Sequence, residues 1–284
     1  MVHRKSIFII AILISMLIFT GCSEKLMNVS DYPVTQGSNP TRIISEKIFM
    51  HFTGLDDKKG DYFKIRHTGT PNAYKDFLAA DTDIDMIIAQ TPDEDTENKM
   101  KSMLFKAIAK DALVFITNKD NPVDNLAFDE LKAILKGDII NWNEVGGRDE
   151  PINLFRQVPA GGSQTLVNRF ILKNEPMKDV PESNIAASME LMSQYVAEGI
   201  ENGAAIGFTT YYFAEFSGKR NDIKIININN IKPKFDSIKN NSYIFIANIY
   251  IAVKNMDSPA GKIYEWITTK AGQELIESTG YVPL

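Results

Sequence analysis

Lys110-Asp111-Ala112-Leu113-Val114-Phe115-Ile116-Thr117-Asn118-Lys119-Asp120-Asn121-Pro122-Val123 reads as a strand closed by a turn. Ala112 to Thr117 has the length of a strand buried on both faces, and the Asn, Asp and Pro residues behind it end the run. A helix follows over Phe128 to Lys136, stopped at Gly137. The same alternation continues in both directions. Upstream, the spacing of Ile43, Ile44, Ile48 and Phe49 predicts a helix over 41–52. Phe63-Lys64-Ile65 is a short strand, Asn72 to Ala80 a helix announced by Thr70 and Pro71, and Ile84 to Ala89 an apolar strand. Downstream come a strand at Ile152 to Phe155, helices over 164–172 and 188–199, and a strand at Ala204 to Phe208. Strand-like stretches at 223–228 and 243–253 and helices over 258–269 and 272–278 complete the chain. Repeated β–α alternation implies an α/β fold with largely parallel sheets.

The composition agrees with a folded chain of one or two domains: 284 residues, 44% hydrophobic and 24% charged. A single cysteine excludes an internal disulfide framework, and His3, His51 and His67 do not stand at zinc-site spacing. A net charge of −5 argues against a nucleic-acid partner. No cofactor and no metal is expected.

The lone cysteine is placed informatively. His3-Arg4-Lys5 precedes the apolar stretch Ile7 to Phe19, which is shorter than the roughly 20 residues of a membrane span but suits a signal peptide. Phe19-Thr20-Gly21-Cys22 resembles the lipobox of bacterial lipoproteins, with Phe19 where leucine is usual. The resemblance implies cleavage of 1–21 and a diacylglycerol on Cys22; an uncleaved N-terminal anchor with an incidental cysteine is the other reading. Both place the remainder outside the cytoplasm and tethered to a membrane. Residues 22–31 then form a tether.

Three loop-to-helix junctions share one chemistry: Gly37-Ser38-Asn39-Pro40-Thr41, Thr68-Gly69-Thr70-Pro71-Asn72, and Arg156 with Ala160-Gly161-Gly162-Ser163-Gln164-Thr165. Each joins glycine to a hydroxyl at a helix start, where free N–H groups attract an anion. The hydroxyls add donors that turn to suit an oxyanion, and Arg156 adds a permanent charge. Taken singly, each junction reads first as a plain helix cap without a ligand. Other motifs fail: the third loop lacks the closing glycine of a nucleophile elbow, no P-loop is present, and no carboxylates form an acid–base pair. No catalytic residue is expected, so an extracellular phosphatase is disfavoured.

Several segments together resemble the PstS-type phosphate-binding lipoproteins, the extracytoplasmic receptors of phosphate ABC transporters. They are Gly37-Ser38 with Thr41-Arg42, Gly69-Thr70 with Asn72-Ala73-Tyr74, the 110–123 stretch, Ile140-Asn141-Trp142-Asn143-Glu144-Val145-Gly146-Gly147, Arg156 with Gly162-Ser163-Gln164-Thr165, Gly203-Ala204-Ala205-Ile206-Gly207-Phe208, and Gly280-Tyr281-Val282-Pro283-Leu284. The resemblance implies a two-lobed type II periplasmic-binding-protein fold. Lobe one would hold 32–111 and 213–284 and lobe two 112–212, with crossings near 110–114 and 208–216. It implies phosphate or a related oxyanion in the cleft, held by Ser38, Asn39, Thr70, Gln90, Arg156, Gly162 and Ser163, with permease subunits as partners. Two departures stand out. Ala89-Gln90 replaces the family's Ser-Asp, whose acid accepts the proton of hydrogen phosphate and rejects sulfate. Gly161-Gly162-Ser163 replaces its Ser-Gly-Ser/Thr, with loss of one hydroxyl. Both imply weaker or less selective binding, and they leave room for a surface sensor or interaction protein with a degenerate pocket.

Overall fold

A computed structural model describes residues 26–55, 64–173, 175–198 and 204–284. The expected signal peptide, Cys22 and the start of the tether lie outside the described residues, as do Phe63, Gly199 and Gly203.

The chain opens with β1 (Thr35–Gly37), α1 (Arg42–Thr53), β2 (Ile65–His67), α2 (Thr70–Leu78), β3 (Met86–Gln90), α3 (Glu94–Met100) and β4 (Leu104–Asn118). It continues through β5 (Asn125–Leu126), α4 (Phe128–Lys136), β6 (Asn153–Leu154), β7 (Arg156–Gln157), α5 (Gly162–Val167), β8 (Ile185–Ala186), α6 (Met189–Glu198), β9 (Ala205–Thr210), β10 (Ile223–Ile225), β11 (Asn227–Ile228) and α7 (Phe235–Lys239). It ends with β12 (Ile246–Val253), α8 (Pro259–Trp266) and α9 (Lys270–Ser278). An eight-stranded sheet runs in the order β2-β1-β3-β12-β4-β9-β6, with β10 paired to β4.

The sheet is mixed, not largely parallel. β1, β2 and β3 are parallel, but β12 runs antiparallel to both β3 and β4, and β9 and β10 run antiparallel to β4. The cause is β4, which serves two half-sheets. Residues from Leu104 to Ala112 pair with β12, and those from Leu113 to Thr117 pair with β9. The expected strand at 112–117 is therefore only the second half of a 15-residue one.

Packing divides at the same point into two lobes. In the first, β3 sends alternate side chains to opposite faces. Met86 and Ile88 join α1, α8 and α9 through Ile44, Phe49, Ile263 and Ile276. Ile87 and Ala89 join α2 and α3 through Tyr74, Phe77 and Met100. The second lobe gathers Ala112 to Ile116, Leu131, Trp142, Leu166, Met192 and Phe208 into another core, together with Ala214, Ile226, Ile228, Ile238, Tyr243, Phe245 and Ala247. Those last residues correct the expected boundary. The segment 214–247 packs with the second lobe because β10 pairs with β4 and β11 with β5. The chain returns to the first core near Ala247–Ile249 rather than at 208–216.

Local chemistry fixes the ends that matter. α4 buries Leu131, Ile134 and Leu135 on one face, and the Glu130 carboxylate accepts the Ala127 N–H at 2.8 Å. It stops at Gly137, whose φ of 84° is left-handed backbone that glycine tolerates. Gly137→Ala is expected to cost about 1 kcal/mol, seen as a fall in melting temperature of about 2–4 °C with ligand binding unchanged.

Candidate functional site

The first two glycine–hydroxyl junctions stand side by side at the ends of β1 and β2, and β3 ends between them and the second lobe. β1 delivers Ser38, whose hydroxyl accepts the Gln90 N–H at 3.1 Å. Thr41 ties the same loop to β3 by donating to the Ile88 carbonyl at 2.6 Å. Gly37 is required there: a Cβ would lie 2.8 Å from the Ile88 carbonyl and 2.9 Å from the His67 ring. The second junction starts α2 at Thr70, two residues earlier than the expected helix, after Gly69 with φ of 90°. Its expected cap is thus the first helical residue, and the hydroxyl is free for other work.

The third junction comes from the second lobe and meets these two. α5 begins at Gly162, and a Cβ there would lie 2.9 Å from Gln90 Oε1, 3.2 Å from Thr70 Oγ1 and 3.6 Å from the Met189 methyl. Only glycine allows the second-lobe backbone this close to Gln90 and Thr70. Ser163 follows, with its N–H donated to Gln157 Oε1 at 3.2 Å.

Four of the expected residues are buried: Ser38, Gln90 and Ser163 at 0% and Thr70 at 1% exposure. Within this group Thr70 Oγ1, Ser163 Oγ and both Gln90 amide ends have no hydrogen-bond partner. Arg156, half-buried on β7, likewise has an unpartnered, buried Nε. β7 links it to the group through its next residue, Gln157, which holds Ser163. Asn39 is exposed and lines the cavity beside the group. That cavity measures about 630 Å³, and Asn39, Thr70 and Gly162 share its wall with Arg42, Met189 and Tyr212.

Sequence reasoning missed Gln157, which orients the third loop, and Met189 and Tyr212, which close the cavity. His67 is the last residue of β2. The ring packs on Gly37 with Nε2 buried and unpartnered. Burial, then the charge of Arg42, lowers its pKa to about 4, so it is neutral at pH 7. Trp142 and Tyr74 are core residues: Trp142 donates to the Ala204 carbonyl at 2.7 Å and Tyr74 to the Gln90 carbonyl at 3.1 Å. Among the described residues no cluster of three or more His, Cys, Asp or Glu stands ready for a metal, and no helix is long and apolar enough to cross a membrane.

Two α/β lobes sharing one long strand, with neutral donors from both gathered where they meet, define a bilobal binding-protein fold. The chain belongs to the PBP superfamily, whose domain matches residues 52–270. It is similar to the phosphate-binding protein PstS of Borreliella burgdorferi, 27% identical over 195 residues, which cover 66% of this chain and 68% of that protein. It is similar also to the phosphate-binding proteins PstS of Bacillus subtilis (22% identical, 65% and 59% covered) and Staphylococcus aureus (26%, 76% and 66%). The aligned part thus spans from under two thirds to about two thirds of these relatives' lengths. Among solved structures, the chain resembles an ABC-type phosphate transport receptor from Vibrio cholerae (TM-score 0.69, 20% identity, covering 88% of this chain and 99% of that one). PstS from Borrelia burgdorferi is a further structural relative (TM-score 0.60, 20% identity, 89% and 98% covered). At that identity the structural likeness carries the fold.

Proposed function

We propose that this chain is the extracytoplasmic solute-binding protein of an ABC transporter, held to a bacterial membrane through lipid on Cys22. It takes phosphate or a similar oxyanion between its lobes and passes it to permease subunits. The observation that carries this reading is the set of unpartnered polar atoms on Thr70, Gln90 and Ser163, buried where the lobes meet. Each such atom costs about 1–3 kcal/mol while unpaired, and a tetrahedral oxyanion offers acceptors in several directions at once. The relatives named phosphate-binding proteins support phosphate as that anion. The lobes, 26–111 with 248–284 and 112–247, would close over it about β4 and the 247–249 crossing.

Gln90 decides the selectivity. Its amide has one donating and one accepting end. An anion bearing a proton satisfies both, while sulfate leaves Oε1 unpaired but is not repelled as it would be by a carboxylate. Titration calorimetry with phosphate, arsenate and sulfate tests the reading. Heat is expected with phosphate and arsenate, and binding about tenfold weaker with sulfate, the equivalent of one unpaired acceptor. Silence with all three would overturn the transport reading in favour of a surface sensor with a decayed pocket, which the loss of the family's acid at Gln90 favours. Complete rejection of sulfate would contradict the role given to the amide.

A further inference from the structure

The lobes also meet away from the donor group. Arg169 lies in the 168–172 turn that continues α5, in the second lobe. Its Nη2 donates to Glu97 Oε2 at 2.5 Å and its Nη1 to the Pro92 carbonyl at 2.7 Å. Glu97 is on α3 and Pro92 follows β3, both in the first lobe. The two side chains are 23% and 15% exposed, so the pair is partly shielded from water. It differs in this from the open surface pairs of the chain, such as Arg66–Asp83.

The contact belongs to a wider network around one loop. Glu97 Oε1 accepts from the Tyr250 hydroxyl at 3.1 Å, and Asn248 Nδ2 donates to that hydroxyl at 3.3 Å. The Asn248 carbonyl accepts the Thr91 N–H at 2.8 Å and its hydroxyl at 3.0 Å. Tyr74 binds the Gln90 carbonyl, and Tyr250 is stacked on Phe105 at 4.4 Å. Among the described residues, hydrogen bonds with Ser38, α2, β12 and Arg169 hold Gln90-Thr91-Pro92, and of these partners Arg169 alone comes from the other lobe. Burial works to raise the Glu97 carboxyl, but the hydrogen bond and charge of Arg169 outweigh it and hold the group below the usual carboxylate range.

We propose that Arg169 and Glu97 fasten the lobes in the closed state, that the fastening steadies the loop carrying Gln90, and that it sets how long the ligand stays. This rests on the reading of the cleft as the ligand site. A contact made only in the closed state raises affinity by raising the closed population. On opening, both charges regain water, which keeps the gain moderate. Arg169 is a positioning residue: it holds Pro92 and Glu97, not the ligand.

Small-angle scattering of the ligand-free protein and stopped-flow phosphate binding test the proposal on Arg169→Ala, Glu97→Gln and the double variant. Each single change is expected to expand the ligand-free protein and to weaken phosphate binding about tenfold. The loss should fall in the dissociation rate, with association unchanged. The double variant should be no worse than the worse single one, and Arg169→Lys, which lacks the fork, should fall between. Parental dissociation rates, or additive losses, would overturn the proposal. If the parent bound no phosphate, the ligand-site reading would fail, yet scattering would still decide the fastening: no expansion in either variant would overturn it. Glu97→Gln retains the shape of the side chain, so its result stands even if Arg169→Ala does not fold.

Discussion

Arg156→Ala is expected to weaken phosphate binding about a hundredfold or more, the largest effect of any single change in the cleft. The guanidinium is always charged, and its Nε is buried without a partner. Ser38, Thr70, Gln90 and Ser163 are neutral, so in the proposed site the anion's charge would be met by Arg156, with Arg42 on the cavity wall as the other cation. A hydrogen bond to a charged ligand contributes about 1.5–3 kcal/mol, and a fork of two is worth a hundredfold or more. Arg156 is half-buried and its buried Nε has no partner, so its removal takes one unpaired donor out of the ligand-free protein. The variant should therefore melt at or above the parental temperature while losing the rise that phosphate gives the parent. Calorimetry and thermal melting with and without phosphate check both halves. Unchanged affinity would remove Arg156 from the site. Arg156→Lys should recover part of the affinity, since it restores charge without the planar fork.

What could be read before the structure follows from what is local. Gly37, Gly69 and Gly162 stood out because glycine beside a hydroxyl at a helix start is a short-range pattern. The structure brings Ser38, Thr70, Gln90, Gly162 and Ser163 together as one group. The second half of β4 was legible because Ala112 to Ile116 is apolar on both faces. Its first half was not, because Lys106 and Lys110 break the run. Lys106 lies over the Tyr264 ring at 4.1 Å and Lys110 donates to the Lys239 carbonyl at 2.8 Å. These aliphatic stems cover the strand while their charges stay outside. The lobe boundary was misplaced because β10 and β11 are too short to declare partners. Their register against Asn118 and Asn125 is set by contacts about a hundred residues away in sequence. Gln157, Met189 and Arg169 were missed for a related reason: each acts only once a loop or the other lobe has come into place.

Two titrating groups, one beside the lobe crossing and one beside the first glycine loop, should oppose each other in the pH dependence of stability. Asp111 is buried on β4 where the lobes join, and its Oδ1 accepts the Ala112 N–H at 2.8 Å and the Tyr212 N–H at 3.0 Å. Burial pushes its carboxyl up to about 6 against these hydrogen bonds. Because its pKa is higher folded than unfolded, it contributes stability at low pH that is lost as pH rises towards 6. His67 works in the other direction. Its pKa of about 4 is below the unfolded value of 6.5, so it contributes stability above pH 6.5 that is lost as pH falls towards 4. Between pH 7 and pH 5 each term is about 1–2 kcal/mol, that of His67 the larger, and the parent should change little. Asp111→Asn removes the compensating term, so its stability should fall by about 2 kcal/mol over the same interval. His67→Gln should instead lose the fall that His67 causes, moving its profile by about 2 kcal/mol towards stability at low pH relative to the parent, and the double variant should keep only the fall on acidification left by His51, whose pKa burial also lowers. Tyr211, Tyr212 and Tyr281, which face Asp111, have pKa values raised by burial and stay neutral throughout. Urea unfolding at pH 5, 6 and 7 measures each slope. A flat Asp111→Asn profile would show that the carboxyl is ionised alike in both states, and a parental slope in His67→Gln would show the same for the imidazole.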